Sequence, residues 1–161
     1  MPDKGNVEYS RRPPRLEPLF STVHPFYFVT FNTYKRLRLL ARPEIHETFC
    51  SFCLRAQDYN VAVGRYVLMP DHIHLFVVLP SAGLTLPKWI QVLRSVIGKR
   101  LLTLGLEKPH WQEGFFDHLL RSQESYSQKW DYVRMNPVRA GLSETSEAWP
   151  YHGEITSLSF D

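Results

Sequence analysis

Apolar and polar positions along the chain alternate between two periods, that of a strand and that of a helix. The run HPFYFVTFNT (24–33) is aromatic and β-branched and predicts a first strand. Residues 43–57 take up helical spacing, with Ile45, Phe49, Phe52 and Cys53 on or near one face and Pro43 at a favourable early position. Two further strands, VAVGRYVLM (61–69) and HIHLFVVL (72–79), are separated only by Pro70 and Asp71, a turn signal that predicts a hairpin. From Leu86 to about Leu104, Trp89, Val92, Leu93, Val96, Ile97 and Leu101 recur at helical spacing, with Arg94, Lys99 and Arg100 on the exposed side. WQEGFFDHLL (111–120) reads as a fourth strand, and Ser122 is placed to cap a last helix, QESYSQKWDYVRMN, that ends near Asn136-Pro137 or at Gly141. The order β-α-β-β-α-β followed by a helix predicts an α+β fold on the ferredoxin-like split βαβ plan. One antiparallel sheet carries its helices on one face, which leaves the other face to the final helix.

Length and composition add bounds to this pattern. At 161 residues and 43 % apolar content the chain suits one well-packed core. The expected organisation is a basic, Pro-rich extended arm over 1–20, a single domain over 21–141, and a short acidic tail over 142–161. No apolar run approaches the roughly 18 residues of a membrane span, and the N-terminus lacks the apolar segment of a signal peptide. The expectation is therefore a soluble, cytoplasmic protein. Cys50 and Cys53 are the only cysteines, and a lone pair of this spacing cannot close a tetrahedral zinc site.

Charge is distributed unevenly. All 19 Lys and Arg lie at or before Arg139, so residues 1–139 carry 19 − 12 = +7, whereas the rest of the chain has only acidic charges. The bases cluster as Arg11, Arg12 and Arg15, as Lys35, Arg36, Arg38 and Arg42, and as Arg94, Lys99 and Arg100. Each cluster adjoins an aromatic (Tyr9, Tyr34, Trp89), a combination that suits a phosphate-rich partner with unpaired bases.

The candidate chemistry sits at the head of the third strand. Side chains of a strand alternate faces, so His72 and His74 point the same way while Ile73 enters the opposite layer. Two imidazoles on one face can converge on a metal ion, although the same pattern also describes a polar pair on a solvated sheet. A third ligand must come from elsewhere. On the predicted final helix Tyr132 and Asn136 are four residues apart and so share a face. Asn136 offers an amide oxygen to a hard metal such as Mg²⁺ or Mn²⁺, and Tyr132 offers a phenol that can attack an electrophile held by that metal.

These residues carry a resemblance. His72-Ile73-His74 in MPDHIHLFV, with Tyr132 and Asn136 in WDYVRMNPVRAGL, resembles the HUH endonuclease superfamily, most closely its REP-associated tyrosine transposases and related single-tyrosine transposases. Tyr9-Ser10-Arg11-Arg12, PFYFVTFNTYKRLRLL, LRSVIGKRL, HWQEGFFDHLLR and NPVRAGL fall in the order such proteins show, so the resemblance spans nearly the whole chain. It implies that Tyr132 cleaves single-stranded DNA to leave a 5′-phosphotyrosine and a free 3′-hydroxyl. It also implies that His72, His74 and Asn136 hold a divalent ion. The implied substrate is a palindromic element whose hairpin is recognised with a short flanking tetranucleotide. Arg11, Arg12, Arg94, Lys99 and Arg100 are the candidate DNA contacts, and both monomers and homodimers occur among such proteins.

Two other readings compete. A replication initiator or relaxase would keep the HUH chemistry in a different biological setting, but such proteins usually lack the NPVRAGL context. A non-enzymatic RRM-like module would share the sheet plan, but the third strand lacks an RRM-type aromatic segment and carries histidines where stacking aromatics would be useful.

Overall fold

The computed structural model describes residues 24–160, so Arg11, Arg12 and the arm expected over 1–20 lie outside the described residues. Five strands form one antiparallel sheet: β1 (Phe26–Asn32), β2 (Ala62–Leu68), β3 (His72–Val78), β4 (Phe116–Leu119) and β5 (His152–Glu154), in the order β4-β1-β3-β2-β5. The first four stand in the ferredoxin-like order. Helix α1 (Pro43–Arg55) crosses from β1 to β2, and α2 (Leu86–Thr103) crosses from β3 to β4. The fold is α+β, as the periodicity predicts.

The alternation within β3 divides the interior into two layers. Ile73, Leu75 and Val77 join Val29 and Phe31 of β1 under α1 and α2, which contribute Ile45, Phe49, Trp89, Leu93 and Ile97. On the opposite face Phe76 and Val78 pack with Phe26, Phe28 and Val67 beneath α3 (Gln123–Val133), which contributes Tyr126 and Val133. A bulge between Val63 and Tyr66 lets these two residues share the α1/α2 side, although their spacing would place them on opposite faces of a regular strand.

Three departures from the periodicity have local causes. The fourth strand begins at Phe116 rather than 111, because Gly114 takes a left-handed backbone (φ +82°) that interrupts extension, and Trp111 makes only an isolated bridge to Thr33. The final helix stops at Val133 and a separate short helix, α4 (Asn136–Arg139), follows, so Tyr132 and Asn136 do not lie on one helical face. Pro137 explains the break: it has no N–H to donate to the carbonyl of Val133, and its ring would collide with that carbonyl in a continuous helix. The segment expected as an acidic tail returns to the sheet. It supplies β5 on the free edge of β2, and the Trp149 indole donates to the Leu68 carbonyl at 2.9 Å while Leu158 enters the core.

Candidate active site

Register sets the first half of the site. β1 and β3 pair Thr30 with His74 and Asn32 with His72, so the threonine and the imidazole opposite it share the α3 face. His74 Nδ1 and Thr30 Oγ1 are 2.7 Å apart, and the His74 ring stacks on Phe28. His72 Nδ1 donates to Asp71 Oδ1 at 2.8 Å. Both Nδ1 atoms are thereby committed, and the two Nε2 atoms face each other at 3.1 Å.

Asp71 is in turn held by Arg36, whose Nε donates to Asp71 Oδ2 at 3.0 Å. The segment carrying Arg36 is fastened to the β2–β3 turn by backbone bonds from Thr33 to Asp71 and from Leu39 and Leu40 to Pro70. Lys35 and Arg36 occupy the left-handed region (φ +51° and +56°), which is costly for non-glycine residues and persists because these contacts over-determine it.

The second half comes from α3 and α4. Ser122 caps α3 by accepting from the Ser125 backbone, as predicted. Tyr126 and Val133 anchor the helix on the sheet, and the Arg65 guanidinium lies over the Tyr126 and Trp130 rings at 5.2 and 5.6 Å. Tyr132 is 63 % exposed, whereas the other tyrosine of the helix, Tyr126, is 1 % exposed. Burial pushes the Tyr126 hydroxyl pKa up, so accessibility and acidity both disqualify it as a nucleophile. Beyond the helix break, Asn136 Nδ2 donates to His74 Nε2 at 2.7 Å. Arg139 stacks on the Tyr132 ring, its guanidinium carbon 4.0 Å from the centroid, and also donates to Asn136 Oδ1.

Electrostatics favour neutral imidazoles here. Burial pushes His74 down to about 3, helped by the positive surroundings that His72, Lys129, Arg139 and Arg36 create, and burial also lowers His72 against the opposing pull of Asp71. With both Nδ1–H groups donating, the facing Nε2 atoms are two acceptors 3.1 Å apart, an arrangement that a shared cation relieves. Two nitrogens bound about 2.1 Å from one ion stand roughly 3.0–3.4 Å apart, so the donor set fits a divalent metal. Asn136 presents its nitrogen to His74; ligation calls for its oxygen, a half-turn of the amide. Among the described residues no group of three or more His, Cys, Asp or Glu is placed to hold a metal, and the Asn136 amide is a further polar group in contact with the imidazoles.

No protein-family model matches the chain. It is 26 % identical, over 78 % of its own length and 77 % of the relative's, to a Haemophilus influenzae protein provisionally assigned as a REP-associated tyrosine transposase. It is 24 % identical to the Escherichia coli K12 REP-associated tyrosine transposase, over 78 % of this chain and 73 % of that one. The chain is similar in sequence to these REP-associated tyrosine transposases. The solved structure of a REP-associated tyrosine transposase bound to a REP hairpin superposes with a TM-score of 0.60, covering 84 % of this chain and 90 % of that one; at 22 % identity this likeness speaks for the fold.

In this chain the basic positions of α2 lie away from the histidines, because α2 packs on the opposite face of the sheet. Arg94 is engaged within the protein: it stacks on Phe31 and Trp111 and donates to the Gly114 carbonyl. Arg100 bonds Thr103 at 2.7 Å, and Lys99 is exposed. Trp89 is a core residue and offers no stacking surface. A cavity of about 660 Å³ lined by Phe52, Tyr59, Leu84 and Val92 also belongs to the α1/α2 side. Among the described residues no helix is long and apolar enough to cross a membrane.

Sequence reasoning missed the partners of the four central residues: Thr30, Asp71, Arg36, Lys129 and Arg139. Asp71 and Arg139 were visible as letters of MPDHIH and NPVRAGL, but sequence spacing carried no sign of their contacts. Thr30 and Arg36 reach the site only through the β1–β3 register and the left-handed turn.

Proposed function

We propose that this chain is a tyrosine transposase that nicks and joins single-stranded DNA at hairpin-forming palindromes through a 5′-phosphotyrosine, with a divalent cation, Mg²⁺ or Mn²⁺, held by His72, His74 and Asn136. The observation that supports the reading is a chain of contacts that links three segments. The β3 histidines converge through Nε2, Asn136 of α4 reaches His74, and Tyr132 of α3 is tied to Asn136 through Arg139. The relatives' names support the reaction class, and the REP hairpin bound in the structural neighbour supports the substrate class.

In the proposed step the Tyr132 phenolic oxygen attacks phosphorus and the bond from phosphorus to the 3′ oxygen breaks. The phenolic proton passes to solvent, the departing 3′ oxygen gains a proton, and the 5′ phosphate stays on Tyr132. A second 3′-hydroxyl can displace the tyrosine in the same manner, so strands are joined without a nucleotide cofactor. When bound, the cation polarises a phosphate oxygen and stabilises charge developing on phosphorus. The protein supplies the rest. Lys129, Arg36 and Arg139 give the pocket the positive field that a phosphodiester requires, and α3, clamped by Arg65, presents the phenol from a rigid element. With DNA as substrate, the proposed place of action is the cytoplasm. Lys99 and Arg100 remain proposed contacts for outlying DNA, behind the sheet. An RRM-like binder is disfavoured, since such a module stacks bases on an open sheet face and here α3 and the Trp149–Leu158 segment cover it.

The test is covalent capture. Full-length protein incubated with labelled single-stranded hairpin DNA from the flanks of its own gene and Mg²⁺ or Mn²⁺ is expected to give an adduct that survives denaturing electrophoresis. Tyr132→Phe should give none, His72→Ala little, and chelation by EDTA should suppress it. An undiminished adduct in Tyr132→Phe, or one formed on duplex but not on single-stranded DNA, contradicts the reading.

A further inference from the structure

The guanidinium of Arg139 touches the neighbourhood of Tyr132 at three points. It stacks over the phenol ring at 4.0 Å, its Nη2 donates to the Tyr132 backbone carbonyl at 2.7 Å, and the same nitrogen donates to Asn136 Oδ1. Each contact has a separate physical consequence. Tyr132 is the penultimate residue of α3, so its carbonyl has no i+4 partner within the helix and accepts a long bond from the Met135 N–H at 3.3 Å, and a cation there is favoured by the helix dipole. The ring is 63 % exposed, and among the described residues no other aromatic or cation stacks on it. Packing therefore leaves the ring direction undetermined until Arg139 lies on it. The bond to Asn136 adds a link to the amide that reaches His74 as the amide now stands; a half-turn of the amide gives up that bond and leaves the other two contacts in place.

These contacts cross the break between α3 and α4, where no continuous helix holds Tyr132 and Asn136 in register. We propose that Arg139 is a positioning residue that holds the Tyr132 ring in place across this break through the ring stack and the carbonyl bond, which do not depend on which way the Asn136 amide is turned, so that the nucleophile keeps a fixed place beside the candidate ligands. The proposal rests on Tyr132 being the nucleophile. Only a planar guanidinium can stack on a ring face and donate in its own plane at once; an ammonium keeps the charge and loses this combination.

The experiment compares wild type, Arg139→Lys and Arg139→Ala in three measurements on the full chain. Single-turnover adduct formation is measured at saturating hairpin DNA, and hairpin affinity is measured in the Tyr132→Phe background. The third is the ¹⁹F resonance of 3-fluorotyrosine placed at position 132, recorded without DNA. A misplaced nucleophile is expected to lower the saturated rate about a hundredfold in Arg139→Ala and about tenfold in Arg139→Lys, with affinity changed less than about threefold and partial rescue of Arg139→Ala by added methylguanidinium. The ¹⁹F line should shift in both variants, and Arg139→Lys keeps the test valid if Arg139→Ala folds poorly. A saturated rate within about threefold of wild type in Arg139→Lys and Arg139→Ala, or a deficit that excess DNA removes, overturns the positioning role while leaving the nucleophile assignment intact. No adduct from wild-type protein on any hairpin overturns the underlying reading, and the positioning role with it.

Discussion

The two faces of the central sheet are built from the same strands and put to opposite uses. On the α1/α2 face β3 contributes Ile73, Leu75 and Val77, all fully buried among apolar neighbours with no polar partner to satisfy. On the α3 face the same strand contributes Phe76 and Val78 to an apolar half, then His74 and His72 to a polar half ringed by Thr30, Asp71, Asn136 and three cations. The first face can be sealed by two helices that cross directly above it. The second is closed by α3, by the broken turn into α4 and by the segment around β5, none of which is held by a βαβ crossover. The contrast puts an all-apolar layer on one side of β3 and a layer divided between apolar core and polar cluster on the other, with a single-residue alternation separating them; under the proposed function the polar half is where the chemistry is placed.

Substitutions on adjacent residues of β3 sharpen this contrast most. His74→Ala is expected to reduce covalent DNA capture by about a hundredfold or more, since the residue is the hub joining His72 and Asn136, with a smaller loss of stability than Leu75→Ala. Leu75→Ala should do the reverse, lowering stability by about 2–5 kcal/mol in urea titration while the folded fraction keeps its capture activity. If both substitutions damage stability equally, the division between the faces fails. A smaller effect tests the closing segment: Leu158→Ala is expected to lose about 2–3 kcal/mol, because a core side chain is removed from a region that the sequence presents as a tail. The smallest is Lys99→Ala, an exposed change on the α2 side, expected to stay within about 0.5 kcal/mol of wild-type stability and to leave the saturated capture rate unchanged.

Legibility in the sequence follows the same division. The α1/α2 face rests on long periodic segments, and the strands and helices that build it lie within a few residues of the periodicity's predictions, because burial of a regular stripe fixes both the element and its orientation. The His72/His74 face was also readable, since alternation alone sets it against Ile73. What the letters did not carry was produced by backbone departures. Pro137 splits the last helix, Gly114 shortens β4, and the three-residue strand His152–Glu154 is too short to show alternation. Arg94 looked like a free base on an exposed helix stripe, but Phe31 and Trp111 come together beneath it only once β1 and the loop before β4 are folded. Arg139 likewise belonged to a recognisable segment, yet its role depends on the turn that returns it to Tyr132.

The central claim, that Tyr132 is the covalent nucleophile of a site assembled on His72, His74 and Asn136, is tested most directly by locating the bond. Protein reacted with single-stranded hairpin DNA and Mn²⁺ is digested with protease and nuclease and analysed by mass spectrometry. The account predicts one modified peptide, with a nucleotide 5′-phosphate attached to Tyr132 and a free 3′-hydroxyl on the released strand. Attachment at any other residue, or through a 3′-phosphate, would contradict it.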